Sequence, residues 1–458
     1  MARSFPVDTD NRSRLFVRMK QGSHLSMLSF RSLVILFVVA LAARLIWWGL
    51  MIQQVPPEQL LQLTPDVKQY TTSAEAIRSQ FDFDTQGVVV FGPGYPAWLA
   101  LLGLVLSPHP YWLLFVQIFL SAFSSVLVAL FALDLTEDKP IAFAAGYLNA
   151  LSMTSIWLAN ILLSETMFFF FLVFGLLAFL KGLRTDRGTY FLSAALLLSV
   201  ATFTRSMGQF LFLVLLGVTF LHHWSSMRKN PKAVTRKLVW PLVASTLMVA
   251  VVAAWTLRND HLYGFRQLAL SASGGQAHLV RVTRETLDHV SYTEASASFD
   301  AEIQMLQDDS LSYYAAFDAH SQNSLRQLIR EHPLLVARIY AGNVLSELND
   351  EWGLQHVSLP RWSEQLRALI SWIHKKGLNY RVSLLAVIGT IILVRKRKYQ
   401  LLLILSLIYL YFALIAGFSH WQGSRIFYHG QIAWAILIAY PLIWLYRQIG
   451  SKIRTRHS

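Results

Sequence analysis

Asp66 opens a helix-competent run inside a polar stretch, TPDVKQYTTSAEAIR, Thr64 to Arg78. Pro65 before it, and Tyr70 and Ala74-Glu75-Ala76-Ile77 after it, put its carboxylate in the first turn of a helix, near the positive end of the dipole. An ionised carboxylate held there can take a proton from an attacking hydroxyl, the work of a general base. The competing reading is a helix N-cap. Glu165 in LLSETMFFFF, Arg205 in ATFTRSMGQF and Arg425 in HWQGSRIFYHG sit at the edges of apolar runs, and Arg44 sits inside one. A charge at mid-bilayer costs about 2.5 to 3.5 kcal/mol on insertion scales, so residues of this kind face a cavity or a partner. Each has a plain alternative. Arg44 snorkels to the interface, Glu165 complements a helix N-terminus, and the loop arginines anchor an interface. Taken together, cations and a carboxylate on one face suit a phosphate-bearing lipid and an acid/base step.

The elements that must position these residues follow from composition. Of the 458 residues, 54% are hydrophobic and 14% charged, with a mean hydropathy of +0.43. This is the profile of an all-α polytopic membrane protein, and it excludes a soluble enzyme. The formal charge of +14 does not imply nucleic acid, because the basic residues fall mainly in short loops between apolar runs, where topology explains them. The chain has no cysteine, which rules out disulfides, thiol catalysis and thiolate metal sites. No cleavable signal is expected, since the first apolar run, Leu33 to Ile52, is long enough to span and no small-residue cleavage site follows it.

Ten spans are expected: 33 to 52, 112 to 134, 140 to 158, 161 to 181, 189 to 204, 207 to 224, 238 to 257, 380 to 394, 399 to 419 and 426 to 446, each near the ~20 residues a bilayer needs. Residues 1–31, with Arg12, Arg14, Arg18, Lys20 and Arg31, form a cytoplasmic tail. The loops with Lys181, Arg184 and Arg187, with Arg228, Lys229, Lys232, Arg236 and Lys237, and with Arg395 to Lys398 fall on that side, as does the 448–458 tail. The transmembrane core is then 32–258, with a first outer loop at 53–111, and 380–447 supplies the last spans. The run from Tyr95 to Ser107 is too short to span and reads as an interfacial or re-entrant helix. Residues 259–379 hold fourteen of the 26 acidic residues and read as a mixed, α-rich outer domain. Glu331-His332-Pro333 before LLVARIYAGNVL starts a helix at a proline, lying on or dipping toward the membrane.

This pattern resembles the membrane glycosyltransferases of the C structural class. More narrowly, it is similar to the bacterial relatives of the dolichyl-phosphate-mannose protein O-mannosyltransferases and to the aminoarabinose:lipid A transferase. The carriers are Asp66 with Tyr70 and Ala74, GPGYPAWLALLG (Gly92 to Gly103), LLSET (Leu162 to Thr166), ATFTRS (Ala201 to Ser206), WTLRNDHLYGF (Trp255 to Phe265) and GSRIFYHG (Gly423 to Gly430). The resemblance implies sugar transfer from a polyprenyl-phosphate donor on the outer face of a bacterial inner membrane. It makes Asp66 the catalytic base, Arg205, Arg258 and Arg425 the phosphate-side groups, and Glu165 and Tyr70 further substrate contacts. The partners it implies are the donor lipid, surrounding membrane lipids and a glycan, lipid or protein acceptor. Val67 departs from an acidic residue that many relatives carry there, so a divalent metal stays open, and no cofactor motif is present. GPGYP reads as a rigid turn that sets the following helix, and not as a phosphate cradle. Two other classes share this topology: a polysaccharide polymerase or ligase, and a lipid or solute transporter, which would show inverted repeats with broken helices.

Overall fold

Capping side chains and prolines set where the helices of this chain begin. In the computed structural model, Ser29 accepts from the Ser32 amide at the start of α1 (Phe30–Ile52). After a short α2 (Pro57–Leu60), Thr64 caps α3 (Pro65–Gln80), accepting from the Val67 amide at 3.3 Å while Pro65 takes the first position. This is the preferred arrangement for the unsatisfied amides of a first turn. Asp66 is therefore not the cap, and its carboxylate is released for other partners. Two further short helices, α4 (Gln86–Phe91) and α5 (Gly94–Val105), complete the first loop. At 12 residues α5 cannot cross a bilayer.

The structure describes residues 28–53, 55–229, 231–307, 312–349, 379–418 and 424–454. Arg12, Arg14, Arg18 and Lys20 of the expected tail, residues 350–378 of the expected outer domain and residues 455–458 lie outside the described residues. No strand occurs among the described residues. Next come α6 (Pro110–Thr136), α7 (Lys139–Ala150), α8 (Met153–Ala159), α9 (Glu165–Thr185), α10 (Gly188–Thr204), a 3-10 turn at Ser206–Gly208, α11 (Leu211–Lys229) and α12 (Pro231–Tyr263). Four helices follow, α13 (Ser271–Asp288), α14 (Tyr292–Leu306), α15 (Tyr313–Glu331) and α16 (Pro333–Asn349). The chain closes with α17 (Asn379–Arg395), α18 (Tyr399–Ala416), α19 (Ser424–Phe427), a 3-10 turn at Tyr428–Gly430 and α20 (Gln431–Arg454).

Among the described residues, seven helices are long and apolar enough to cross a membrane, and the bent pair α7 and α8, at 52° to each other, makes up to eight. The expected count of ten is larger because α10 and the apolar part of α17, Leu384–Arg395, are helical but short of a full span. The expected span 140–158 is the bent pair, because Ser152 starts a new helix by accepting from the Ser155 amide. The span expected at 161–181 begins instead at Glu165.

Ion pairs mark one end of the bundle. Arg184 lies 3.4 Å from Asp134 and 3.6 Å from Glu137, Lys237 lies 3.1 Å from Asp186, and Arg447 lies 2.9 Å from Asp138. The basic loops after α9, after α11 and after α17 thus share the end at which α6 terminates. The first-loop helices, Glu165, Arg205 and Arg425 share the opposite end. There α13 to α16 build a smaller core of their own around Phe299, Val280, Ile303 and Leu328. They are fastened to the bundle by Leu270 N–H donating to the Val89 carbonyl at 3.0 Å and by Asn343 donating to the Gly417 carbonyl at 3.1 Å.

Arg44 does not take the snorkelling alternative and instead has buried partners. It is fully buried, with Nε donating to Ser121 Oγ at 2.7 Å, Nη1 to the Ala40 and Ala150 carbonyls at 2.8 and 3.0 Å, and Nη2 to Ser155 Oγ at 2.7 Å. The break between α7 and α8 exposes carbonyl and hydroxyl oxygens inside the bundle. An arginine that satisfies them is better placed there than at the surface.

Candidate functional site

Four segments far apart in sequence deliver the site. The first turn of α3 gives Asp66 and, one turn on, Tyr70. The start of α9 gives Ser164 and Glu165. The extended residue after α10 is Arg205, with φ −148° and ψ 129°. The short α19 carries Arg425. Glycines bring the first loop against the third segment. Gly92 has φ +104°, and a Cβ on Gly94 would stand 2.6 Å from the backbone of Phe203 and Thr204. The GPGYP turn therefore locks α5 against the end of α10, next to Arg205, which only a residue without a side chain permits.

Charges alternate across the site. Arg425 Nη2 donates to Asp66 Oδ2 at 2.7 Å, and its Nε donates to Glu165 Oε1. Arg205 Nη1 lies 2.7 Å from the same Glu165 oxygen and donates to Ser164 Oγ at 3.1 Å. Ser164 Oγ is in turn 3.1 Å from the Tyr70 hydroxyl. Glu165 is wholly buried, whereas the Asp66 side chain keeps 26% exposure. The buried carboxylate thus acts as a hub between two arginines, and the half-open one faces outward from the same pair. Arg205 is 13% exposed, and among the described residues its Nε and Nη2 make no hydrogen bond.

Protonation follows from this packing. Burial would by itself lower the affinity of Arg425 for its proton, but Glu165 and Asp66 more than offset that and hold it above the ordinary range. Burial, then the neighbouring Asp66 and Glu165, push the Tyr70 hydroxyl up against the opposing pull of Arg205, so it stays a neutral phenol. Edge contacts with Tyr95 and Phe91, both with ring centroids at 4.9 Å, fix its ring.

The structure brings together Asp66, Tyr70, Glu165, Arg205 and Arg425. Arg258 is not brought to them: its Nη2 pairs with Asp84, and its guanidinium lies 4.5 Å from the Trp255 ring and 5.8 Å from the Tyr263 ring. Asp84 also accepts from the Tyr263 hydroxyl at 2.8 Å. Nothing local to Arg258 marks that a first-loop carboxylate 174 residues away claims it. Two polar neighbours were missed although both lie in quoted motifs. Ser164 links Tyr70 to Arg205, and His429 is fully buried beside Glu165, its ring 4.5 Å from Phe168. A hydroxyl directly before a buried carboxylate, and a histidine four residues after Arg425, were the available signals.

The residues present do not fit a divalent cation. Asp66 and Glu165 are already neutralised by Arg425 and Arg205, Val67 is buried in the apolar core, and no three His, Cys, Asp or Glu side chains gather as ligands among the described residues. No step below uses a metal.

Comparison with known proteins agrees with the fold. Residues 93–265 match the family model of dolichyl-phosphate-mannose-protein mannosyltransferases. No curated protein matches the chain. Among solved structures, the archaeal oligosaccharyltransferase AglB from Archaeoglobus fulgidus, in complex with an inhibitory peptide and a dolichol-phosphate, superposes with a TM-score of 0.54 at 14% identity, over 93% of this chain and 51% of that one. The Archaeoglobus fulgidus oligosaccharyltransferase tethered to an acceptor peptide containing the NVT sequon gives 0.52 at 15% identity, over 91% and 49%. The chain therefore spans about half the length of the structures it matches, and what it shares with them is a fold.

Proposed function

We propose that this membrane protein transfers a sugar from a polyprenyl-phosphate donor to an acceptor hydroxyl, at the bundle end that carries α3, with Asp66 as general base. The observation that supports this most is a partly exposed carboxylate paired with Arg425, which shares the buried Glu165 with an Arg205 whose Nε and Nη2 make no hydrogen bond among the described residues. The matched family model and the dolichol-phosphate in the AglB complex favour a lipid-phosphate donor over a nucleotide sugar. Opposite placement of the basic loops favours an outer, periplasmic site in an inner membrane.

In the proposed reaction the acceptor oxygen attacks the anomeric carbon while Asp66 takes its proton. The bond from that carbon to the phosphate oxygen breaks, and the electron pair leaves with the polyprenyl phosphate. Arg205 stabilises the departing phosphate through its free nitrogens. Arg425 has a double part. Its ion pair occupies Asp66, so an arriving phosphate that competes for Arg425 Nη2 leaves the carboxylate free for the acceptor. The base is thereby released when the donor is present. Tyr70, a neutral phenol bonded to Ser164, keeps the first turn of α3 against Glu165.

The bent pair α7 and α8 is a feature that a transporter would share. Its break is filled by Arg44 and hydroxyls, which favours the enzyme. The reading is tested by incubating the purified protein in lipid nanodiscs with radiolabelled polyprenyl-phosphate monosaccharides and membrane extract. Acceptor-dependent release of polyprenyl phosphate is expected. Movement of the intact lipid across the bilayer without cleavage would contradict it.

A further inference from the structure

Arg44 carries a full positive charge in the middle of the bundle, yet every partner it has in hydrogen bonding is neutral. Burying a cation among neutral oxygens is costly unless each N–H is met. Here all three nitrogens are used, and two of the partners belong to the break between α7 and α8: the Ala150 carbonyl, which ends α7, and Ser155 Oγ in the first turn of α8. A helix C-terminus is the negative end of its dipole, so the guanidinium also offsets that charge.

The network continues in two directions, and each ends at the proposed site. Ser155 Oγ is 3.1 Å from the Tyr428 hydroxyl, and Tyr428 follows Arg425 by three residues. The Tyr428 ring, 1% exposed, is packed at 4.8 Å from Phe169, so its hydroxyl has no room to turn elsewhere. At the other end of α8, Gln117 shares its amide hydrogens among the carbonyls of Leu158, Ala159 and Ile161, and accepts from the Tyr95 hydroxyl at 2.8 Å. Glu165 begins four residues after Ile161. Asn160 closes the circuit by donating to the Arg44 carbonyl at 3.4 Å.

We infer that Arg44 is a positioning residue of the transferase site: through the break in the bent span and through Ser155 and Tyr428, it fixes the short segment 424–430 and thereby the place of Arg425 between Asp66 and Glu165. The bent span is then not a defect of a transmembrane helix. It is a wedge that carries Ser164 and Glu165 on one side and braces Tyr428 on the other. This rests on the proposed role of Arg425 only for its consequence in transfer. The mechanical link itself stands on the hydrogen bonds.

The experiment is hydrogen exchange by mass spectrometry on the full chain in nanodiscs, comparing the parent with Tyr428→Phe and Arg44→Lys. Tyr428→Phe keeps the buried ring and deletes one hydroxyl, so it folds even if Arg44→Lys does not. Exchange of residues 424–430 should rise about fivefold in Tyr428→Phe, the effect of one hydrogen bond, while α18 and the body of α20 stay unchanged. A purely structural part would loosen all three together or none, and either result overturns the proposal. Transfer supplies a second readout. Tyr428→Phe should lower turnover by about three- to tenfold per folded molecule, and adding it to Arg425→Lys should cost nothing further, because both act through one side chain. Independent, multiplying losses would refute the link to Arg425. If Arg425→Lys were itself fully active while exchange at 424–430 still rose, the positioning link would stand and the functional reading of Arg425 would fall.

Discussion

Glu165→Gln strikes the hub of the site without changing its shape. The glutamine keeps an oxygen for Arg425 and Arg205 and removes the charge that holds both. Removing one member of a buried ion pair costs roughly 3 to 5 kcal/mol. Arg425 retains Asp66 at 2.7 Å and Arg205 retains Ser164 at 3.1 Å, which puts the expected loss at the lower end, about 3 kcal/mol. The charge of the two acids and two arginines then rises from zero to plus one. An arriving phosphate is attracted at least as strongly as before, while the arginines that must meet the leaving group are no longer fixed. Turnover should therefore fall by about 10² to 10³, the loss seen when one electrostatic stabiliser is removed, and donor KM should not rise. The assay is transfer per folded molecule at several donor concentrations, beside a thermal midpoint in the same lipid. A glutamine variant as stable and as active as the parent would refute the hub. A rise in KM matching the fall in turnover would show that Glu165 touches the donor instead.

Arg258→Gln should lower transfer by less than about threefold, since its partners are Asp84 and the Trp255 and Tyr263 rings, and a loss near that of Arg205→Gln in the same assay would contradict this placement. Because the chain has no cysteine, orientation can be read by single-cysteine labelling of intact cells with an impermeant reagent. A cysteine replacing the exposed Ser79 should react and one replacing the exposed Thr189 should not, and the reverse would invert the proposed topology. Acid should loosen α13 to α16. Burial holds the His320 imidazole below its ordinary value of 6.5 despite Glu302 at 2.9 Å, and although burial works against it, Arg284 holds the Glu302 carboxyl below 4.5. Both native values lie under the unfolded ones, so the unfolded state binds more protons and stability drops as pH falls through 6.5 and again through 4.5. Hydrogen exchange in 271–349 should rise between pH 7 and 5.5, and His320→Gln should abolish that first step.

The helical, multi-span architecture was legible because long apolar runs leave few alternatives, and charge asymmetry sorted the loops. The ends of helices were legible where a proline spoke for itself, as at Pro65 and Pro333. The break at Ser152 was not, because the run 140–158 carries no charged residue to interrupt it and its bend involves Arg44, whose partners lie up to 111 residues away. The same distance hid the division of labour among the arginines. Arg205, Arg258 and Arg425 look alike as loop cations beside apolar runs. What separates them is which carboxylate each meets: Glu165, Asp84, or Asp66 and Glu165 together. Those pairings span 40, 174 and, for Arg425, 359 and 260 residues, beyond the reach of local pattern. Asp66 itself was picked out correctly as a first-turn residue, but the cap it was weighed against belongs to Thr64.

General-base catalysis by Asp66 is tested most directly by transfer per folded molecule in Asp66→Asn, measured with donor binding on the same preparation. Asparagine keeps the size and a hydrogen-bonding oxygen for Arg425 and removes the proton acceptor. Turnover should fall by about 10² to 10⁴ with donor binding kept, and with little loss of stability because Thr64, not Asp66, caps the helix. A well-folded Asp66→Asn variant with full transfer activity would contradict the account.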